Sequence, residues 1–178
     1  SPGRSAAAAP GDLQLRLRQA EVLEAADRPG EAAAAYRKAR RELATTAAQQ
    51  QELDYRLGDL AALRLGDAQL SRQLMTQLPA GSPRRIDLEG VLTLQSGEHR
   101  QALIHFNDAL QRQPDPGTAA RILYHAARAY RALGDDTNAV SSLYRAVNLA
   151  EDLGLTREIE LLFREIKHSE PPRDGARR

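Results

Sequence analysis

Three arginines and a tyrosine follow one face of a predicted helix and could together bind a carboxylate. Arg121, Tyr124, Arg128 and Arg131 are spaced i, i+3, i+7 and i+10, and His125 lies beside them. Guanidinium groups pair with carboxylates through two parallel hydrogen bonds, and a tyrosine ring can stack against them. The row predicts a site for an acidic or C-terminal peptide segment. The alternative is that these arginines are simply solvated.

The residues that catalysis needs are not found in suitable combinations. No two histidines are spaced i, i+3 or i+4 with a carboxylate partner, as a metal site on a helix would require. The four are His99, His105, His125 and His168. The glycines are scattered as turn residues rather than gathered in a phosphate loop, and no serine lies in a G-x-S-x-G context. We therefore predict no catalytic residue, no metal site and no cofactor.

Composition narrows the classes of partner. Lys+Arg 25 against Asp+Glu 24 gives a formal charge of +1, so no overall field favours nucleic acid or an anionic membrane. The absence of cysteine excludes disulfides, and no apolar run approaches the roughly 18 residues of a membrane span. With two Phe, five Tyr and no Trp, the apolar content comes mainly from Ala and Leu. Such a composition favours helices that pack closely along small residues.

The helices that must position these side chains can be found from residues 97–114, GEHRQALIHFNDALQRQP. Ala102, Phe106 and Ala109 are separated by four and then three residues, which places a small, a large and a small side chain on one helical face. Gly97 stands where a tight turn would precede the helix, and Pro114 stands where the helix should end. The segment is typical of the second helix of a stacked hairpin.

The same offsets from a turn residue recur along the chain. They are found at Ala32–Tyr36–Ala39 after Asp27, at Ser71–Met75–Leu78 after Gly66, and at Ala139–Leu143–Ala146 after Gly134. The turn residues are separated by distances that scatter around about 34 residues. The sequence is similar to the tetratricopeptide repeat family, with about four repeats over residues 12–153. The best match runs from Arg84 to Pro114, and the next from Arg121 to Leu149.

The first two repeats depart from the family pattern. Arg16 occupies a position that usually holds a bulky apolar residue, and Asp27 replaces the turn glycine. The second repeat can be registered from Gly58 or from Gly66, and Gly66 gives the better fit to the helix that follows. The resemblance implies an all-α fold, a right-handed superhelical solenoid of antiparallel helix pairs.

In that fold the first helix of each pair lines a concave groove, which the resemblance implies is the partner-binding surface. In the fourth repeat the groove residues would be the arginine row, Tyr124 and His125. In the third repeat they would be Arg84, Asp87, Val91 and Leu94. Related proteins that bind chaperone C-termini use a Lys/Asn clamp, and this sequence does not show it. The corresponding positions hold Leu17, Glu21, Asp87, Val91, Tyr124 and Arg128.

The two ends of the chain differ from the repeats. Residues 1–11 form an Ala/Pro-rich linker and residues 169–178 a polar tail, and both are predicted to be disordered. The linker would suit a mature protein of the bacterial envelope or periplasm, although a cytoplasmic location is nearly as well supported. Residues 154–168 are predicted to form a capping helix, with Gly154 ending the helix before it and Thr156 as its N-cap. Its apolar face consists of Ile159, Leu162, Phe163 and Ile166. The alternative roles for this helix are dimerisation or binding as a surrogate ligand in the groove of a neighbouring molecule.

Three functions remain open at this point. The first is a non-catalytic scaffold that binds a peptide or partner protein in its groove. The second is an accessory subunit of a bacterial envelope machine for secretion, pilus assembly or exopolysaccharide export, in which the convex face and the ends would matter more. The third is a sensor or regulatory domain of a larger protein.

Overall fold

The computed structural model of the chain describes residues 11–169. These residues contain nine α-helices joined by short turns, and no strand. The predicted linker and tail lie outside this range, apart from Gly11 and Ser169. In chain order the helices are α1 (Asp12–Ala25), α2 (Pro29–Glu42), α3 (Ala47–Leu63), α4 (Ala68–Met75), α5 (Pro83–Gln95), α6 (His99–Gln111), α7 (Pro116–Ala132), α8 (Asp136–Leu149) and α9 (Leu153–Ser169).

The first eight helices form four antiparallel pairs, and each pair packs on the next. The turn within each pair contains one residue with positive φ: Asp27 at 59°, Gly66 at 65°, Gly97 at 87° and Gly134 at 77°. An aspartate tolerates this left-handed conformation better than most side chains, which explains how Asp27 can replace a glycine. The positive φ at Gly66 also confirms the register chosen for the second repeat. The all-α solenoid predicted from the sequence is confirmed.

The small-large-small stripes lie in the core. Ala102, Phe106 and Ala109 are completely buried, and so are the equivalent residues of α8. Phe106 packs directly against the backbone of the preceding helix at Gly90. A Cβ atom at position 90 would lie 2.5 Å from the Phe106 ring, which is inside van der Waals contact. Glycine is therefore needed at position 90 because helices α5 and α6 approach so closely there.

We expect Gly90→Ala to destabilise the protein by about 1–3 kcal/mol, because the added methyl group must push α5 and α6 apart. Gly30→Ala is the matched control, since nothing lies within 4 Å of the added Cβ in α2. That control should be neutral or slightly stabilising. Urea unfolding of both variants measures the difference. Equal stability of the two variants would show that the α5–α6 contact is looser than described.

The last helix packs on the fourth pair and also reaches the first helix. Ile159, Leu162 and Ile166 are buried against α7 and α8, and the half-buried Phe163 ring lies 5.1 Å from that of Tyr144. Helix α9 begins earlier than predicted, because the Asp152 carboxylate, rather than Thr156, accepts the Leu155 N–H at 3.0 Å. Contacts between α9 and α1 bring the two ends of the solenoid together.

Candidate functional site

The concave side of the solenoid, between α1, α3, α5 and α7, contains a buried network of charged side chains. Helix α7 supplies its centre: Arg121 and His125 are four residues apart and share one helical face. Both residues are buried: Arg121 is 7% exposed and His125 is 0% exposed. Buried charges are stable only when they are paired, so the partners of these two residues determine what the site can do.

His125 lies between two aspartates from neighbouring repeats. Its Nδ1 atom lies 2.8 Å from Asp87 of α5, and its Nε2 atom lies 2.7 Å from Asp59 of α3. The second contact is an ion pair at an angle too poor for a good hydrogen bond. Tyr55 donates its hydroxyl to Asp87 from the other side. Burial alone would lower the pKa of His125, but the Asp87 and Asp59 carboxylates outweigh it and raise that pKa to about 9. The imidazole is therefore a buried cation at neutral pH.

Arg121 also binds carboxylates, and they come from its own chain. Its guanidinium donates to Asp59 at 2.6 Å and to Asp152 at 2.7 Å. Burial opposes the charge of Arg121, but the Asp152 and Asp59 carboxylates hold its pKa well above the ordinary value. Arg56 of α3 shares Asp152 at 3.2 Å and binds Glu21 of α1 at 2.9 Å. The network thus links the first three pairs of helices to α7 and to the start of α9.

Most of the residues predicted to line the groove are inside the protein. Six of the nine are buried: Asp87, Val91, Leu94, Arg121, Tyr124 and His125. The expectation that their side chains face an open groove is corrected for these six. The reason is that α5 and α7 are enclosed by neighbouring helices, so the side opposite the hairpin core is also covered. Val91 and Leu94 belong to an apolar cluster with Phe106, and Asp87 pairs with His125.

The three remaining candidates are half-buried. Arg128 donates to the Tyr124 hydroxyl at 3.1 Å and lies over its ring, and the Tyr124 hydroxyl in turn contacts Glu158 at 3.3 Å. Arg131 makes two hydrogen bonds of 2.9 Å to Asp136. Arg84 has the weakest internal partners. Its guanidinium lies over the Tyr55 ring and makes only a 3.3 Å hydrogen bond to the Thr118 hydroxyl and a 3.8 Å contact with Asp115.

A cavity of about 540 Å³, here called the groove cavity, opens beside Arg84. It is bordered by α1, α3, α5, α7 and the α8–α9 connection, and its lining includes Arg18, Glu52, Tyr55, Arg84, Thr118 and Glu151. A second cavity of about 280 Å³, the side cavity, adjoins it and shares Arg84, Asp115 and Thr118. The two cavities together are here called the trench; both border the first turns of α5 and α7, and Arg84 lines both.

Asp59 and Asp152 were not predicted as site residues, although they position both central cations. Asp59 interrupts the apolar run LGDLAAL in α3, where a solvated surface aspartate would not be expected, and this was the available signal. Asp152 gave no comparable signal because it lies in the short α8–α9 connection.

Within residues 11–169 no group of three or more His, Asp or Glu side chains is arranged to hold a metal ion. Within the same residues, no helix has the length and apolarity needed to cross a membrane.

The geometry agrees with comparisons to known proteins. A family model described as tetratricopeptide repeat matches residues 120–153, which include most of α7 and all of α8. The fold resembles the crystal structure of the APC/C hetero-tetramer Cut9–Hcn1, with a TM-score of 0.51 over 83% of this chain at 21% sequence identity. Residues 120–153 thus match a tetratricopeptide repeat. No curated protein matches its sequence.

The solved chain is much longer than this one, which spans 29% of its length. At this level of identity the likeness concerns the fold. Arrays of this kind are protein–protein interaction scaffolds, and they are generally non-catalytic. The tetratricopeptide repeat fold therefore implies protein partners.

Proposed function

We propose that this protein is a non-catalytic scaffold that binds an extended segment of a protein partner in the trench on its concave side. The observation that carries this proposal is the groove cavity, which is open to solvent and bordered by the first helix of every pair. Its volume of about 540 Å³ lies in the range of ligand pockets, and the adjoining side cavity extends it for a longer segment.

The position and contacts of Arg84 favour an acidic partner segment. Arg84 is the cation shared by both cavities, and the hydrogen bond that it donates to Thr118 is long, at 3.3 Å. The Tyr55 ring holds the guanidinium in place, so little side-chain freedom is lost when a ligand binds. The first turns of α5 and α7 border the side cavity and contribute their helix dipoles. A carboxylate that accepts hydrogen bonds from Arg84 would be stabilised by about 1.5–3 kcal/mol.

We expect Arg84→Glu to weaken the binding of acidic peptides by at least about tenfold, because an attractive contact becomes a repulsive one. The test is to select peptides from a random library against the wild-type protein and to titrate them by calorimetry. Arg100→Glu is the matched control, since Arg100 is exposed at the start of α6, on a helix that does not line the trench. Binding that survives Arg84→Glu, or that falls equally with Arg100→Glu, would contradict this site.

A second candidate is a role in assembly through the convex end. Tyr144 and Val147 are exposed on one face of α8, at 62% and 43%, and the half-buried Val140 and Phe163 lie beside them. Neighbouring apolar side chains that reach the surface are a feature of protein contact surfaces. This face would serve a structural subunit or a homo-oligomer that forms through the C-terminal end. Tyr144→Asp tests this candidate in the same titrations. Peptide binding should be unchanged in this variant if the peptides bind in the trench, and it should be lost if they bind to the convex end.

A further inference from the structure

Residues 150–158, here called the strap, lie across the concave side of their own chain. The strap consists of the α8–α9 connection and the first turn and a half of α9. Helix α1, at the opposite end of the solenoid, binds its backbone. Arg18 donates to the Glu151 carbonyl at 3.0 Å, and the Leu153 N–H approaches the Glu21 carboxylate at 3.5 Å. A segment of the chain thus occupies part of the surface that a partner would use.

Two carboxylates of the strap are bound by cations of the repeats. Asp152, 8% exposed, is bound by Arg121 of α7 and Arg56 of α3. Glu158 is bound at 2.6 Å by Arg64, the residue that directly follows α3. The two acidic residues are six positions apart, so the strap forms ion pairs with arginines of the concave side at two places along its length.

Gly154, which lies between Asp152 and Glu158 in the sequence, allows the strap to approach α1 closely. A Cβ atom at Gly154 would lie 2.7 Å from the Cβ of Glu24 in α1, so any larger residue would force the strap away. Apart from Gly154, the buried contacts of the strap come from Asp152 and the apolar side chain of Leu155. The remaining apolar anchors of α9, Ile159 to Ile166, pack on α7 and α8 beyond the strap. The strap could therefore open while the rest of α9 remains packed.

From these contacts we infer that the strap is an internal ligand that covers a latent binding site for an acidic helical segment of a partner. The segment has a carboxylate for Arg56 and Arg121, a glycine or other very small residue two positions later, and a second carboxylate six positions after the first for Arg64. This inference rests on the proposed scaffold function and adds the partner's chemistry and the regulation of the groove. After exchange, an equivalent set of carboxylates pairs with the buried cations, so the partner-bound state leaves none of them without a counterion.

The closed strap reduces the apparent affinity for such a partner. A tethered segment competes at a high effective concentration, so a free segment binds only in proportion to the open fraction. Any change that disfavours the closed strap, without touching the cations beneath it, should therefore increase the affinity for a competing segment. Gly154→Ala is such a change, and Gly30→Ala is its matched control because the added methyl group meets nothing.

The test uses the full chain and a labelled synthetic peptide with the sequence of residues 150–158. We expect this peptide to bind Gly154→Ala at least about tenfold more tightly than it binds wild type or Gly30→Ala. A peptide carrying Asp152→Asn should lose most of that gain, because it lacks the carboxylate for Arg56 and Arg121. Equal affinity for all three proteins, or no binding to a folded Gly154→Ala protein, would overturn the inference.

Hydrogen exchange of the wild-type protein gives a second test that needs no variant. The strap amides of residues 155–158 should exchange through local opening and faster than those of residues 162–166. Identical protection of the two segments would overturn the inference, because the strap would then open only on global unfolding. A strap that fails these tests while Arg84→Glu still abolishes peptide binding would leave the proposed trench intact. Loss of the Arg84 effect alone would count against the trench and not against the strap.

Discussion

Replacing Arg121 by methionine is expected to lower the free energy of unfolding by about 3–5 kcal/mol, because it leaves two buried carboxylates short of a counterion. Arg121 is the direct link between Asp59 and Asp152, at 2.6 and 2.7 Å. Each of these aspartates is less than a tenth exposed. Methionine fills a similar length with apolar atoms but donates no hydrogen bond. Asp59 would retain only His125, and Asp152 would retain Arg56 and the Leu155 N–H.

Arg131→Met on the same helix is the matched control. Arg131 also makes two short hydrogen bonds to a carboxylate, but the two side chains of that pair are 27% and 37% exposed. Solvent screens such a pair, so its loss should change stability by less than about 1 kcal/mol. Urea unfolding of both variants measures the contrast, and equal losses would show that burial does not strengthen the Arg121 pairs.

A double variant separates loss of charge from loss of packing. If the damage in Arg121→Met comes from uncompensated carboxylates, adding Asp152→Asn should restore part of the lost stability. If the two effects simply add, the damage comes from packing around the guanidinium instead.

Features of the fold that depend on neighbours in sequence could be predicted. The turn at Gly97 and the stripe Ala102–Phe106–Ala109 lie within one hairpin, and the structure confirms both. The apolar face of α9 could be found for the same reason, since its periodicity is local. Helix and turn positions therefore follow from short-range spacing, even where Asp27 replaces a glycine.

Features of the site that depend on distant residues could not be predicted. Arg121 meets Asp59 from a helix two pairs earlier, and no spacing rule connects the two positions. Periodicity assigns one face of α7 to the hairpin core, but it cannot show that the opposite face is covered as well. Nor does any local pattern place the start of α9 against α1, because that contact depends on the accumulated curvature of four pairs. The groove was therefore predicted as more open than it is.

The buried imidazolium predicts how stability should depend on pH. The pKa of His125 is about 9 in the folded protein, against an ordinary value of 6.5, so the folded chain binds this proton more tightly than the unfolded chain. The resulting stabilisation is complete below pH 6.5 and is lost as the pH rises to 9. Burial raises the pKa of Glu24 to about 7, and its contribution is lost in a lower window, between pH 4.5 and 7. The range above pH 7 therefore isolates His125.

Between pH 7 and 9.5 we expect the free energy of unfolding to fall by about 2–3 kcal/mol, since each pKa unit corresponds to about 1.4 kcal/mol. Loss of the proton leaves Asp59 and Asp87 facing a neutral ring, so two buried carboxylates lose their shared cation. Urea unfolding across this range measures the fall, and His125→Gln should flatten it because glutamine does not titrate. The wild-type protein offers an independent measurement, since the His125 ring resonances should titrate with a midpoint near 9. A midpoint below 7 would mean that His125 is neutral at physiological pH and that Arg121 is the principal cation at the centre of the network.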